Sequence, residues 1–152
     1  ASADTVMFCL SKGLGAPVGS LLCGPSDLLA EARAQRARLG GGMRQAGGIA
    51  AAGIVALEHM VHRLAADHLR ARVLADALAD RWPGSVDPAA VRTNIVCAAA
   101  ARLPDHFVER LAERGVRAGT IDPRTVRLVT HKDVDDDGIA RAIAVFDELR
   151  AA

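Results

Sequence analysis

The fold expected for this chain is decided by residues 6–23, which read VMFCLSKGLGAPVGSLLC. Residues 6–10 and 18–23 are short, continuous apolar runs, a pattern typical of strands buried on both faces. Two glycines and a proline lie in the segment between them and indicate a tight loop. The stretch therefore predicts two neighbouring strands of a mainly parallel or mixed sheet, with Lys12 in the loop that joins them.

The next residues predict helices. Ser26 is a residue type that caps helix N-termini, and the three glycines 40–42 end the helix that it starts. Residues 43–81 are expected to be helical over most of their length. Their first part, 45–57, is almost uncharged and is expected to be packed on all sides, whereas the second part is amphipathic. The residues 82–84, Trp-Pro-Gly, end this helix.

The rest of the chain alternates between strand and helix, which predicts a small α/β domain. The expected strands are 92–98 and 125–130, and the expected helices are 105–114 and 135–149. We therefore expect three parts: residues 1–57 as the end of a large domain, 58–81 as a connecting helix, and 82–152 as a small C-terminal α/β domain.

Composition excludes several classes of protein. The net charge of +1 excludes a strongly electrostatic nucleic-acid binder. The longest weakly polar stretch, Ala46 to Leu57, is 12 residues long, too short to span a bilayer, and no intact signal peptide is visible. These patterns predict a soluble, cytoplasmic protein without membrane or nucleic-acid partners.

Metal and thiol chemistry are not expected either. The three cysteines, Cys9, Cys23 and Cys97, form no CxxC pair and have apolar neighbours, which predicts reduced, buried thiols. His59 and His62 are three residues apart on a helix, but no carboxylate or cysteine completes a ligand set. No metal site is predicted.

Lys12 is the residue that most directly suggests chemistry. A lysine in a cleft of low dielectric loses its proton easily, and the neutral amine is a nucleophile that can form a Schiff base with an aldehyde. The alternative is a lysine without a chemical role that extends from a turn into solvent. A phosphate-binding loop is rejected, because that motif requires Gly-Lys-Ser/Thr and Lys12 precedes its glycines.

Six spaced segments form a recognisable set: DTVMFCLSKGLGAPVGSLLCG (4–24), GGGMRQAG (40–47), AAAG (50–53), RLAADH (63–68), TNIV (93–96) and RLVTH (127–131). In this order they resemble the low-specificity L-threonine aldolases, pyridoxal-phosphate enzymes of the aspartate-aminotransferase superfamily with fold type I. The likeness covers essentially the whole chain.

The resemblance implies a fold and three site residues. The chain would be the C-terminal part of a fold type I α/β enzyme: the end of the large-domain sheet, a long connecting helix and the small domain. Lys12 would be the lysine that holds pyridoxal phosphate. Arg44 would bind the cofactor phosphate, in this family from a neighbouring subunit, and Arg127 would bind the substrate carboxylate, since arginine offers a planar fork to both anions.

The resemblance also implies a reaction and partners. The reaction would be cleavage of L-threonine or a related β-hydroxy-α-amino acid to glycine and an aldehyde. The partners would be the amino-acid substrate, the N-terminal segment of the enzyme that this chain lacks, and further copies in a homo-oligomer, a dimer or a homotetramer. That N-terminal segment would carry the other groups that bind the cofactor, and the catalytic base is not identifiable.

Two alternatives and one departure stay open. The chain could belong to another β-eliminating lyase of the superfamily, or it could be a non-catalytic interaction domain. The family commonly has a lysine one residue after an arginine before GGGMRQ, whereas here Ala37 follows Arg36 and Arg38 comes next. Arg38 is the candidate to replace that lysine.

Overall fold

A computed structural model describes residues 2–151 as two compact units. The first unit ends at His62 and the second begins at Arg63. This division lies within the segment 58–81 that the sequence predicts as one connecting helix. The prediction of a continuous helix is wrong, because residues 60–63 form a turn between two separate helices.

The first unit begins with an antiparallel hairpin. Strand β1 (Val6–Cys9) pairs with strand β2 (Ser20–Cys23), with Val6 opposite Cys23 and Cys9 opposite Ser20. Both strands exist as predicted, but the expected burial on both faces is wrong: 64% of Met7 is exposed. The pairing is antiparallel because residues 10–19 fold back as a closed loop, and no third strand joins this sheet within residues 2–151.

Helix α1 (Ser26–Arg38) follows, with Pro25 rather than Ser26 as its N-cap residue. Its C-terminus is closed by two backbone hydrogen bonds, from Gly40 N–H to the Ala37 carbonyl and from Gly41 N–H to the Arg36 carbonyl. This is a Schellman motif, in which Gly40 supplies the positive φ of +79°. The prediction that glycines end this helix is confirmed.

Helix α2 (Gly47–His59) is buried on one face only, through Gly53 and Ala56. The sequence predicts packing on all sides, and this is wrong for the described chain: Ile54 and Val55 are each more than half exposed. A nearly uncharged sequence predicts that the surface of a helix is buried, but it does not identify the part of the protein that covers it.

The second unit packs three helices and two short 3₁₀ turns with a three-stranded antiparallel sheet. Strand β5 lies between β3 and β4. In chain order the elements are α3 (Leu64–Arg81), a 3₁₀ turn (Pro88–Ala90), β3 (Ile95–Ala99), a 3₁₀ turn (Ala100–Arg102), α4 (Phe107–Glu113), β4 (Gly119–Asp122), β5 (Thr125–Val129) and α5 (Asp136–Ala151). The predicted strands and helices of this region are confirmed, and β4 is an addition that the sequence did not predict.

The core of the second unit lies between one face of the sheet and the helices α3 and α5. The fully buried large side chains include Leu78, Val96, Leu111 and Phe146. Trp82 packs edge-on against Phe107, with ring centroids 5.2 Å apart. The other sheet face is left uncovered within this unit.

The cysteines depart from the prediction. All three are free, as expected, but Cys23 and Cys97 are exposed and Cys9 is half-buried. Their apolar neighbours in sequence belong to strands of which one face stays open in this chain.

No single helix within residues 2–151 is long and apolar enough to cross a membrane, although α2 and α3 taken together as a broken pair have the required length and composition.

Candidate functional site

Lys12 lies in a loop whose two ends are tied together. The Leu10 carbonyl accepts a hydrogen bond from Ala16 N–H at 3.0 Å, and Leu10 N–H donates to the Gly19 carbonyl at 2.9 Å. Inside the loop, Gly15 N–H donates to the Lys12 carbonyl at 2.9 Å. Backbone bonds on both sides of Lys12 therefore fix the conformation of the segment that carries it.

Three apolar residues of this loop are buried, whereas its lysine is exposed. Leu10, Leu14 and Ala16 are 7–8% exposed, whereas Lys12 is exposed. Lys12 has no ion-pair partner among the described residues, in contrast to Lys132, whose Nζ lies 2.7 Å from Asp133. The cleft of low dielectric expected around Lys12 is not formed by the first unit itself.

Arg44 lies in the bend that leads into helix α2. Gln45, next to it, has a left-handed backbone with φ of 51°, so the chain turns sharply between Arg44 and the first helical residue, Gly47. Arg44 is exposed, and no carboxylate within residues 2–151 pairs with it. A guanidinium without a carboxylate partner is free to bind an anion.

Arg127 lies in the middle of β5, the central strand of the three-stranded sheet. Its neighbours along the strand, Val126 and Leu128, are buried toward the helices, so Arg127 lies on the open face. The alternation of side chains in a strand dictates this placement. The structure thus places Lys12 and Arg44 on separate loops of the first unit and Arg127 in the second unit.

Sequence reasoning missed a buried polar network in the second unit. Asp67 has no exposed surface, and its carboxylate accepts two hydrogen bonds from the Arg63 guanidinium, at 2.6 and 3.0 Å. Thr130 Oγ1 donates to the Asp67 carbonyl at 2.7 Å, and Asn94 Nδ2 donates to the Thr130 carbonyl at 2.8 Å. The network thereby connects the start of α3 to the residues that flank β3 and β5.

A signal for this network is present in the sequence. Its residues belong to three of the motifs that carry the resemblance, RLAADH, TNIV and RLVTH. Asp67 also lies four residues before Ala71 and seven before Leu74, both buried, so the helical period places a carboxylate on an apolar face. A charged residue at such a position requires a partner.

A cluster of charged and titratable side chains, those of His131, Lys132 and Asp133, follows β5. The hydrogen bond from Lys132 is the main cause that lowers the pKa of the Asp133 carboxyl, and the nearby charges of His131 and Arg63 act in the same direction. Asp133 is fully exposed, so this group stabilises the protein only weakly. No group of three metal-ligating side chains occurs in the part of the chain that the structure describes.

Comparison with known proteins gives a family match over most of the chain. A sequence model described as "Beta-eliminating lyase" matches residues 1–101. The matched region includes the Lys12 loop, Arg44 and Asp67, and it ends before β5.

Individual relatives match over nearly the whole chain. The low specificity L-threonine aldolase of Escherichia coli (strain K12) is 40% identical over 93% of this chain, and low-specificity L-threonine aldolase 1 of Arabidopsis thaliana is 35% identical over 97%. The alignments cover only 41% and 42% of those proteins, so the chain spans about two fifths of the length of these curated relatives.

A solved structure shares the fold. A chain from Exiguobacterium sp. 255-15, described as an aromatic amino acid beta-eliminating lyase/threonine aldolase, superposes with a TM-score of 0.66 at 21% sequence identity. The match covers 93% of this chain and 45% of that one. The α/β arrangement is therefore that of the C-terminal part of a fold type I enzyme.

Proposed function

The chain belongs to the beta-eliminating lyase family, and from that membership we propose that it is the C-terminal part of a pyridoxal-phosphate-dependent aldolase. The substrate would be L-threonine or a related β-hydroxy-α-amino acid, and the products would be glycine and an aldehyde. The observation that carries this proposal is the match to low-specificity L-threonine aldolases over more than nine tenths of the chain.

The donor chemistry of the first unit fits the cofactor. An exposed primary amine without an ion-pair partner, that of Lys12, suits an aldehyde, and an unpaired guanidinium, that of Arg44, suits a phosphate. Lys12 would bind the cofactor covalently, and Arg44 would bind its phosphate, in an oligomer from a neighbouring copy. When bound, pyridoxal phosphate supplies an electron sink for the pair released as the Cα–Cβ bond breaks.

Arg127 would bind the α-carboxylate of the substrate. A guanidinium holds a carboxylate through two parallel hydrogen bonds, which fixes its orientation as well as its position. Orientation matters here because only the bond held in the correct direction is cleaved. The position of Arg127 on the open sheet face supports this role, since a ligand can reach it there.

The organisation of the whole enzyme is part of the proposal. Residues 1–57 would complete a large cofactor-binding domain whose other part would lie N-terminal to them, residues 58–81 would connect the domains, and residues 82–152 would form the small domain. The exposed apolar side chains of β1 and α2 support a homo-oligomer, a dimer or tetramer, in which these surfaces are covered. A cytoplasmic location is a further part of the proposal.

The test uses the fact that the chain has only two lysines, Lys12 and Lys132. The chain is incubated with pyridoxal phosphate, reduced with borohydride and mapped by peptide mass spectrometry. We expect the label on Lys12 at cofactor concentrations that leave Lys132 unmodified, and we expect Lys12→Arg to abolish it. Equal labelling of both lysines would indicate nonspecific amine chemistry and would refute the assignment.

The same experiment separates the alternatives. A non-catalytic interaction domain would show no preference for Lys12. Another lyase of the superfamily would label Lys12 as well, and it is distinguished by assaying the enzyme completed with the N-terminal part of a related aldolase: release of glycine from threonine identifies the aldolase.

A further inference from the structure

Gly53 of helix α2 faces the buried side chain that anchors the Lys12 loop. A Cβ atom added to Gly53 would lie 3.0 Å from Leu10 Cδ1, so the leucine would have to shift by a few tenths of an ångström. No other heavy atom lies within 4 Å of that Cβ position, apart from the helix's own backbone and the adjacent residues. At Gly53, the atom that an added side chain would meet is therefore Leu10 Cδ1.

Leu10 is also the residue that closes the loop. Both of its backbone polar groups are bonded across the base of the loop, to Gly19 and to Ala16. Its side chain is 7% exposed and also contacts Gly19, where an added Cβ would lie 3.4 Å from Leu10 Cδ1. Leu10 is thus held by backbone hydrogen bonds on both sides and lies two residues before Lys12.

The geometry points to Gly53 as a positioning residue for Lys12, acting through Leu10. This inference rests on the proposed function, in which the Lys12 amine binds the cofactor covalently. The absence of a side chain at Gly53 lets Leu10 seat against the helix backbone and sets the position of the loop. The position of a reacting group matters, since a misplacement of about 1 Å can cost about 10²-fold in reaction rate.

Helix α2 contains a matched control. Gly48→Ala is the same substitution in the same helix, and nothing lies within 4 Å of the added Cβ. Both variants change helix propensity in the same direction. They differ in the contact with Leu10, which isolates the positioning effect from helix stability.

Two measurements are made on the 152-residue chain. The first is amide hydrogen exchange of Leu10, Gly15 and Ala16 without cofactor, and the second is the dissociation constant of the Lys12 adduct with pyridoxal phosphate. We expect Gly53→Ala to speed the exchange and to weaken the adduct about threefold to tenfold, less than the roughly 10²-fold loss of rate that a 1 Å misplacement can cause. Gly48→Ala should leave both unchanged.

In the double variant Leu10→Val/Gly53→Ala, the first substitution removes one carbon and the second adds one. This variant should restore the exchange rates and the dissociation constant of the adduct, because volume-conserving changes are tolerated best. If the dissociation constant of the adduct is the same in Gly53→Ala and Gly48→Ala, the positioning role is wrong, even if the loop amides of Gly53→Ala exchange faster. Should the wild-type chain form no adduct even when it is completed with the N-terminal part of a related aldolase, the proposed function itself fails, while the exchange data still report whether Gly53 sets the loop.

Discussion

The surroundings of Arg127 in the sheet leave its side chain room to move. Its cross-strand partners are Cys97 on β3 and Gly119 on β4. Opposite residues in antiparallel strands have Cβ atoms about 4.5–5.5 Å apart, so a bulky partner would restrict the guanidinium. A small thiol on one side and no side chain on the other leave it free to turn toward a carboxylate.

Lys132 gives a prediction about pH. We expect Lys132→Met to raise the pKa of the Asp133 carboxyl toward its ordinary value, because the hydrogen bond from Lys132 is the main cause that lowers it. A carboxyl with a lowered pKa in the folded state contributes stability above its unfolded pKa of about 4, and this contribution is lost as the pH falls through the folded value. The variant should thus be less stable than wild type at neutral pH and equal to it once both are fully protonated.

The measurement is a carboxyl NMR titration combined with urea unfolding at neutral and acidic pH. Asp147 serves as an internal control, since its pKa is lowered mainly by a hydrogen bond from Arg81, which the substitution leaves in place. An Asp133 titration that is identical in wild type and variant would contradict the prediction.

At the scale of elements, the Asp67 network connects α3 to the end of β5. We expect Asp67→Ala to destabilise the second unit by about 2–3 kcal/mol, somewhat less than for a fully buried ion pair because Arg63 can still reach water. Trp82, the only tryptophan, packs in the core of this unit, so its fluorescence in urea reports the unfolding of the unit.

Asp76→Asn is the matched control for this prediction. Asp76 lies on the same helix, α3, but it is exposed and has no ion-pair partner within residues 2–151. Its substitution should leave the urea midpoint unchanged. If both variants unfold at the midpoint of wild type, the buried carboxylate contributes nothing to holding α3 against the sheet.

Local patterns predicted most elements correctly but not their surroundings. The glycine stop after α1 and the helices α4 and α5 follow from residues close in sequence, and the structure confirms them. Strand β4 was missed because it is a four-residue edge strand with a register shift between Thr120 and Asp122, too short for an alternating pattern. The break before α3 was missed because Arg63 and Asp67 were not recognised as a pair at the start of a new helix.

The sequence also predicted some residues of the candidate site but not the contacts around them. Lys12, Arg44 and Arg127 were singled out by resemblance to a family, and their roles stay predictions. The burial expected around β1 and α2 depends on surfaces outside this chain. An apolar run predicts that a strand or helix is buried, but it does not identify the element that covers it. Leu10 and Gly53 were not distinguished, because their contact joins residues far apart in the sequence.

At the scale of the whole molecule, the two units differ in how much core they have. In the first unit the buried apolar side chains are Leu10, Leu14, Ala16 and Ala56, whereas the second unit has a continuous core of helices and sheet. Helix α1 has no buried residue. The first unit therefore depends far more on surfaces outside itself.

This difference predicts the behaviour of the isolated chain. We expect it to release little or no glycine and aldehyde from L-threonine, because it spans about two fifths of the length of the aldolases that it matches. We also expect it to self-associate, because neither edge of the β1–β2 hairpin is paired within residues 2–151 and most of its side chains are apolar. An activity assay and light scattering test these two expectations.

Met7→Lys should reduce this self-association, since a charge on an exposed edge strand opposes strand pairing. Leu69→Lys is the control: Leu69 is similarly exposed, at 67% against 64% for Met7, but it lies on helix α3 in the second unit. Equal effects of the two substitutions on self-association would place the associating surface elsewhere.

The activity assay has its own contrary outcome. Robust turnover by the unaided chain would show that the essential groups are all present in it.

The unequal cores also have a consequence during protein synthesis. A ribosome releases residues 1–62 before residues 63–152, so the unit with little core emerges ahead of the unit that can bury its own side chains. The nascent hairpin then exposes Met7 and its neighbours to solvent while the second unit is still being translated. Exposed apolar segments of this kind are prone to aggregate, and the hairpin is a segment of this chain that a molecular chaperone would engage.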